Sequence, residues 1–159
     1  MKKRVFTVMI FVLFFNINAA ASMVSFCVIE TGLPENRAFS DHSVQWENAF
    51  MDVFFDAGYI VSNYPMTRLE EKPKNGIMES AGINIMDARI WGIDFIIISQ
   101  LDYSDFGQPP NNITLLIYKV NTSEKIYERQ FDGRTYRSAR EEHDDIKGII
   151  RSLVPYIAG

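Results

Sequence analysis

The chain has 159 residues, with 16 basic and 20 acidic side chains, a formal net charge of −4 and 47% hydrophobic residues. That length suits one domain able to bury its own core, and the acidic balance with no basic patch argues against nucleic acid as a partner. A single cysteine, Cys27, excludes an internal disulfide.

The first segment reads as a leader. "MKKR" is basic, "VFTVMIFVLFF" is apolar and "NINAAAS" is built from small and polar residues. The apolar run falls short of the ~20 residues that a spanning helix needs. The pattern predicts a cleaved secretory signal over residues 1–21, with Ala19 and Ala21 before the cut and Ser22 as the first mature residue. Removing Lys2, Lys3 and Arg4 leaves 13 basic against 20 acidic residues, a net charge of −7. One domain is then expected over residues 22–159, in the periplasm or another extracytoplasmic space. Cys27 lies in the alternating run "VSFCVIE" and is expected in a strand core. The alternative, a lipid tether through Cys27, is opposed by the bulky Phe26 before it.

"MVSFCVIET" is β-branched and aromatic and stops at Gly32 and Pro34, which predicts a first strand. Ser40 or Asp41 can cap a helix running to about Ala57, with Trp46, Ala49, Phe50, Val53, Phe54 and Ala57 on one apolar stripe. "YIVSNYPM" predicts a second strand, its pairing limited by Pro65. After the charged connection "TRLEEKPKNG", a second helix is expected over about Ile77 to Trp91. Ile77, Ala81, Ile85, Ala88 and Trp91 would face inward, and Gly82 weakens it. "DFIIISQLDY" is the third strand, Asp94 to about Tyr103. "ITLLIYKV" and "KIYERQF" flank the turn "NTSE" as a hairpin. "SAREEHDDIKGIIRSLVPYI" predicts a C-terminal helix with Ile146, Ile149, Ile150, Leu153 and Val154 inward.

The order is β-α-β-α-β-β-β-α. Right-handed crossovers make the first three strands parallel, so the expected fold is a three-layer α/β/α domain with a mixed five-stranded sheet in order 2-1-3-4-5, its fourth strand antiparallel.

Chemistry-bearing patterns are few. His42 and His143 have no ligand-spaced partners, there is no G-x-S-x-G nucleophile motif, and no glycine-rich phosphate loop is present. No cofactor or metal is expected. The remaining candidate is the edge where the third strand ends, Asp102, Tyr103, Asp105 and Phe106, with Glu30 at the end of the neighbouring first strand. Carboxylates meeting there could share a proton or a metal in a small hydrolase. The commoner reading of the acids is solvent-facing turn chemistry, while Tyr103 and Phe106 are aromatics able to serve a protein interface, a loop aromatic tucked over the core being the commoner case.

The stretches "QWENAFMDVFFDAGYIVSNYPMTRL", "AGINIMDARIWGIDFIIISQLD" and "LLIYKVNTSEKIYERQFDG" resemble a known extracytoplasmic domain type. The pattern is similar to the amino-terminal domain of TolB and the related domain of the curli secretion channel protein CsgG. The helix, glycine and hydrophobic strand recur. Gly92-Ile93-Asp94 stands where those families have G-A-D, and Asn121, Thr122, Ser123 and Glu124 match their hairpin turn. No propeller repeats follow and no membrane-spanning hairpins are inserted. The resemblance implies a non-enzymatic envelope module that binds other envelope proteins, with membrane association through such a partner.

Overall fold

Strand β1 (Met23–Thr31) is the axis of the molecule, because its side chains are buried on both faces from Val24 to Thr31. The computed structural model describes residues 21–71, 73 and 76–158. The expected signal therefore lies outside the described residues, apart from Ala21.

The remaining elements are α1 (Asp41–Asp56), β2 (Ile60–Asn63), β3 (Thr67–Leu69), α2 (Ile77–Ser80), α3 (Ile85–Ile90), β4 (Phe95–Asp102), β5 (Asn112–Lys119), β6 (Glu124–Asp132), α4 (Ala139–Arg151) and α5 (Val154–Ile157). The sheet runs β2-β1-β4-β5-β6, with β3 also paired to β1. β1 is parallel to β2, β3 and β4, while β5 is antiparallel to both β4 and β6. The expected mixed α/β sheet and strand order hold.

Three elements differ from expectation. The C-terminal helix divides into Ala139–Arg151 and Val154–Ile157, with Pro155 in the first turn of the second. The second strand is two strands, so the sheet has six. β2 pairs Asn63 with Phe26 and β3 resumes with Thr67 opposite Ile29, Pro65 lying between and lacking the N–H a continuous ladder needs. The second helix is also two. Gly82 takes a φ of +68°, and the Asn84 side chain then caps a new helix by accepting the Met86 N–H at 2.8 Å. This break turns Trp91, expected inward, out to solvent.

One face of the sheet presents Val24, Phe26, Val28, Ile97 and Leu101 to α1 and α4. Phe50 stacks on Phe26 with ring centroids 5.1 Å apart and on Phe54 at 6.2 Å, so one α1 stripe supplies the centre of this layer. Trp46, Ala49, Phe50, Val53 and Phe54 are buried as predicted, while Ala57 is exposed at the cap. Ser40 is the residue that caps α1, its side chain accepting the His42 N–H. Ile146, Ile150 and Leu153 complete the layer from the C-terminal segment. The outer rims of α1 and α4 are joined by Lys147 and His143 on Asp52, and the Lys147 hydrogen bond holds the Asp52 carboxyl below its ordinary value.

The other face carries Cys27, Ile29, Ile96 and Ile98, covered by Ile83 and Ala88. Cys27 is fully buried, as expected, and burial pushes its thiol up to about 12. Among the described residues no helix is long and apolar enough to cross a membrane.

Adjacent positions of α1 give a direct test of this packing. Phe50→Ala should cost about 3–5 kcal/mol in urea unfolding, as large aromatic truncations in cores do. Phe55→Ala, at a side chain 75% exposed, should change stability by no more than about 0.5 kcal/mol.

Candidate interaction edge at the carboxyl ends of the parallel strands

β1 and β4 end side by side, with Glu30 opposite Leu101 and Thr31 opposite Asp102. Side chains alternate along a strand, so Glu30 shares the α1 face with Leu101 while Asp102 shares the opposite face with Thr31. The two carboxylates expected to meet are therefore divided by the sheet. This register removes the paired-acid arrangement on which the hydrolase reading rested. Among the described residues no group of three or more His, Cys, Asp and Glu is placed to hold a metal.

Glu30 is fully buried at the end of an apolar strand, and its charge is met by Arg68 on β3. The Arg68 Nε–H donates to Glu30 Oε2 at 2.8 Å and a second donor, Nη2, binds the same oxygen. Nη1 donates to the carbonyls of Pro34 and Arg37, both at 2.8 Å, and Nη2 to that of Ala38 at 2.9 Å. All five guanidinium donors are thus used. The remaining carboxylate oxygen, Oε1, accepts the Ser40 N–H at 2.7 Å, at the cap of α1. One ion pair consequently fixes β1, β3, the whole 32–40 loop and the start of a helix. The Phe39 ring closes over the guanidinium at 5.2 Å.

The 103–111 loop lies against this frame. Gly32 has a φ of +82°, and a Cβ there would fall 2.2 Å from the Tyr103 carbonyl oxygen, so only glycine admits the approach. Asp102 is buried, which corrects the expectation of a wet strand end, and Tyr103 is buried as the commoner case for a loop aromatic has it. The Thr31 hydroxyl and the Gln100 amide, the latter at 2.8 Å, donate to Asp102 Oδ1. The Tyr103 hydroxyl lies 2.8 Å from Ser43 Oγ, and burial pushes its phenol up to about 12. Asp105 and Phe106 are exposed, and the Arg37 guanidinium sits 5.0 Å over the Phe106 ring. The four candidate residues thus divide into a buried pair that anchors the loop and an exposed pair that the loop presents.

Beside it, a pocket of about 400 Å³ opens between the starts of α1 and α4, lined by His42, Gln45, Gln108, Pro109, Tyr136 and Glu142 among others. His42 Nδ1 lies 2.5 Å from Glu142 Oε1, joining the two helices. The Tyr136 hydroxyl donates to Asp145 at 2.9 Å, and burial followed by that bond raises its pKa.

The sequence patterns missed the Glu30–Arg68 pair and the His42–Glu142 contact. A signal for the first existed: a lone acid inside an otherwise apolar strand needs a counter-charge.

No family model matches the chain, and no curated protein sequence matches it. Solved structures do. A point variant of the PelC dodecamer from Paraburkholderia phytofirmans matches with a TM-score of 0.50 and 13% identity, over 86% of this chain and 88% of that one. The LpoB C-terminal domain from Escherichia coli gives 0.45 and 12%, over 76% and 87%. TolB from Acinetobacter baumannii gives 0.44 and 12%, over 85% of this chain and 29% of that one. At these identities the likeness is one of fold. TolB is thus among the solved structures to which the chain is similar, and the CsgG-type part of the resemblance stays an expectation.

Two outcomes follow from the buried groups. Glu30→Gln leaves a buried guanidinium without its counter-charge and should lower stability by about 3–5 kcal/mol in chemical denaturation. For Tyr103 the folded pKa lies above the ordinary 10.0, so its contribution is fully present below pH 10 and is lost as pH rises toward about 12. Tyr103→Phe should therefore flatten the fall in stability across that alkaline window, read from denaturation midpoints at stepped pH.

Proposed function

We propose that this chain is an exported, non-catalytic module of a bacterial envelope that works by contact with other envelope proteins. The observation that carries the reading is the Phe106–Arg37 pair. An aromatic ring and a guanidinium are stacked on the surface, on two loops that Gly32, Tyr103 and Arg68 hold rigid. Aromatic and arginine side chains on a preorganised support are the types that dominate binding energy at protein interfaces. The leader pattern at residues 1–21 supports export, and the motif resemblance to the TolB amino-terminal domain favours the same functional class. A lipid tether through Cys27 has less support. Lipoprotein processing would make Cys27 the first residue and delete Met23–Phe26, the part of β1 that pairs with β2.

The test uses the protein expressed in its own cells with a photo-crosslinking amino acid in place of Phe106. A discrete adduct in the envelope fraction is expected, absent when the probe replaces exposed Glu128 on β6 and reduced roughly tenfold by Arg37→Glu. Equal labelling from both positions, or retention of the chain in the cytoplasm with its leader attached, would overturn the reading.

A further inference from the structure

The sheet has two edges, and they are built differently. On one side β2 has four residues and β3 three, with Pro65 between them, so neither offers a ladder long enough for another chain. On the other side β6 runs for nine residues and, among the described residues, pairs with β5 alone. Its far row of N–H and C=O groups is therefore open to a further strand. A second copy of the chain brings the same open edge, and a two-fold axis perpendicular to the sheet would join the two edges antiparallel.

The side chains of β6 decide what such a copy would meet. Tyr118 pairs with Lys125 and Ile117 with Tyr127, so Ile126 is bulged out and the first part of the strand is bent away from regular pairing. The regular part is residues 127–132. Two copies centred on Arg129 set Tyr127 opposite Phe131 twice and Glu128 opposite Gln130 twice, aromatic and polar pairs that stabilise a ladder. The centre is the conflict, because each Arg129 then lies directly opposite the other. Tyr127 and Phe131, its neighbours on that face, bring no acid to offset the charge. Moving the centre by one residue is no remedy. Centred on Gln130, Glu128 meets Asp132 twice, and centred on Glu128, that acid meets itself beside the bulge.

We infer that Arg129 guards this edge: β6 carries an interface for a second copy that a like-charge contact at its centre keeps shut. The guard is held in position. Arg129 is exposed, its guanidinium lies 4.7 Å over the Phe131 ring, and no ion pair among the described residues neutralises it. The inference stands apart from the partner contact proposed at Phe106, since it concerns an opposite side chain on the same strand and not a partner protein. Repulsion in the wrong pairing is a physical route to specificity, and here it acts against the chain's own copy.

Copies of opposite charge at this position supply the test. The purified natural protein, isotope-labelled, is titrated with unlabelled natural protein and with unlabelled Arg129→Glu, and amide shifts are followed by NMR. Each protein alone places like charges at the centre and should not associate through β6. The mixture places a guanidinium opposite a carboxylate. It should associate at least about tenfold more tightly than either protein with itself, with shifts centred on the amides of residues 127–132 and a response that fades as salt is added. Arg129→Val, which removes the charge and suits a strand, should associate with itself through the same amides. Circular dichroism matching that of the natural protein establishes that each variant is folded, and if the glutamate variant is not, Arg129→Val carries the test alone. A mixture no tighter than the separate proteins, or a folded Arg129→Val that stays unassociated, would overturn the inference. So would natural protein that already pairs through β6, or shifts in the mixture that map to another surface.

Discussion

A carboxylate and a guanidinium taken out of water together are the constraint on which one whole end of this molecule depends. Glu30 and Arg68 have side chains 0% and 5% exposed, so each alone would carry a desolvation cost that a small domain cannot absorb. The cost is offset because every Arg68 donor and both Glu30 oxygens are bonded. Such a pair contributes less to net stability than to geometry. Arg68 needs β3 alongside β1, the carbonyls of Pro34, Arg37 and Ala38 need Arg68, and the cap of α1 needs Glu30.

The two ends of the sheet thus have distinct physical characters, separated by about 30 Å of nine-residue strand. At the carboxyl ends, loops with little secondary structure of their own are made rigid by buried polar contacts and present Phe106 with Arg37 over it. At the amino ends, apolar tips surround the entry of the chain. The α1 and α4 layer lies between them, its two helices tied by Asp52 to Lys147 and by His42 to Glu142.

Much of the fold was legible because it follows from short-range rules. The first strand, the α1 stripe, the third strand and the hairpin are each set by apolar period and bounding turn residues, and the strand order follows from crossover handedness. What was illegible depends on distant partners. Arg68 reads as part of a charged connection until Glu30 is seen beside it, and Asp102 reads as solvent-facing until Thr31 and Gln100 are found bonding it. Trp91 fits an inward helical position only if the helix passes Gly82 unbroken, and the left-handed backbone there is decided by context. Of the candidate edge, Phe106 and Asp105 are exposed and Tyr103 and Asp102 are not. Sequence spacing cannot separate these, because the loop folds back over the sheet.

The central claim is that Arg68 holds the 32–40 loop as one unit with Glu30, and amide hydrogen exchange tests it most directly. In the natural protein the Ser40 amide, donated into a buried carboxylate, should exchange as slowly as amides of the β1–β4 ladder. In Arg68→Met the Ser40 amide should lose that protection while the ladder between β4 and β5 keeps its own. A fast-exchanging Ser40 in the natural protein, or equal protection in both proteins, would contradict the account.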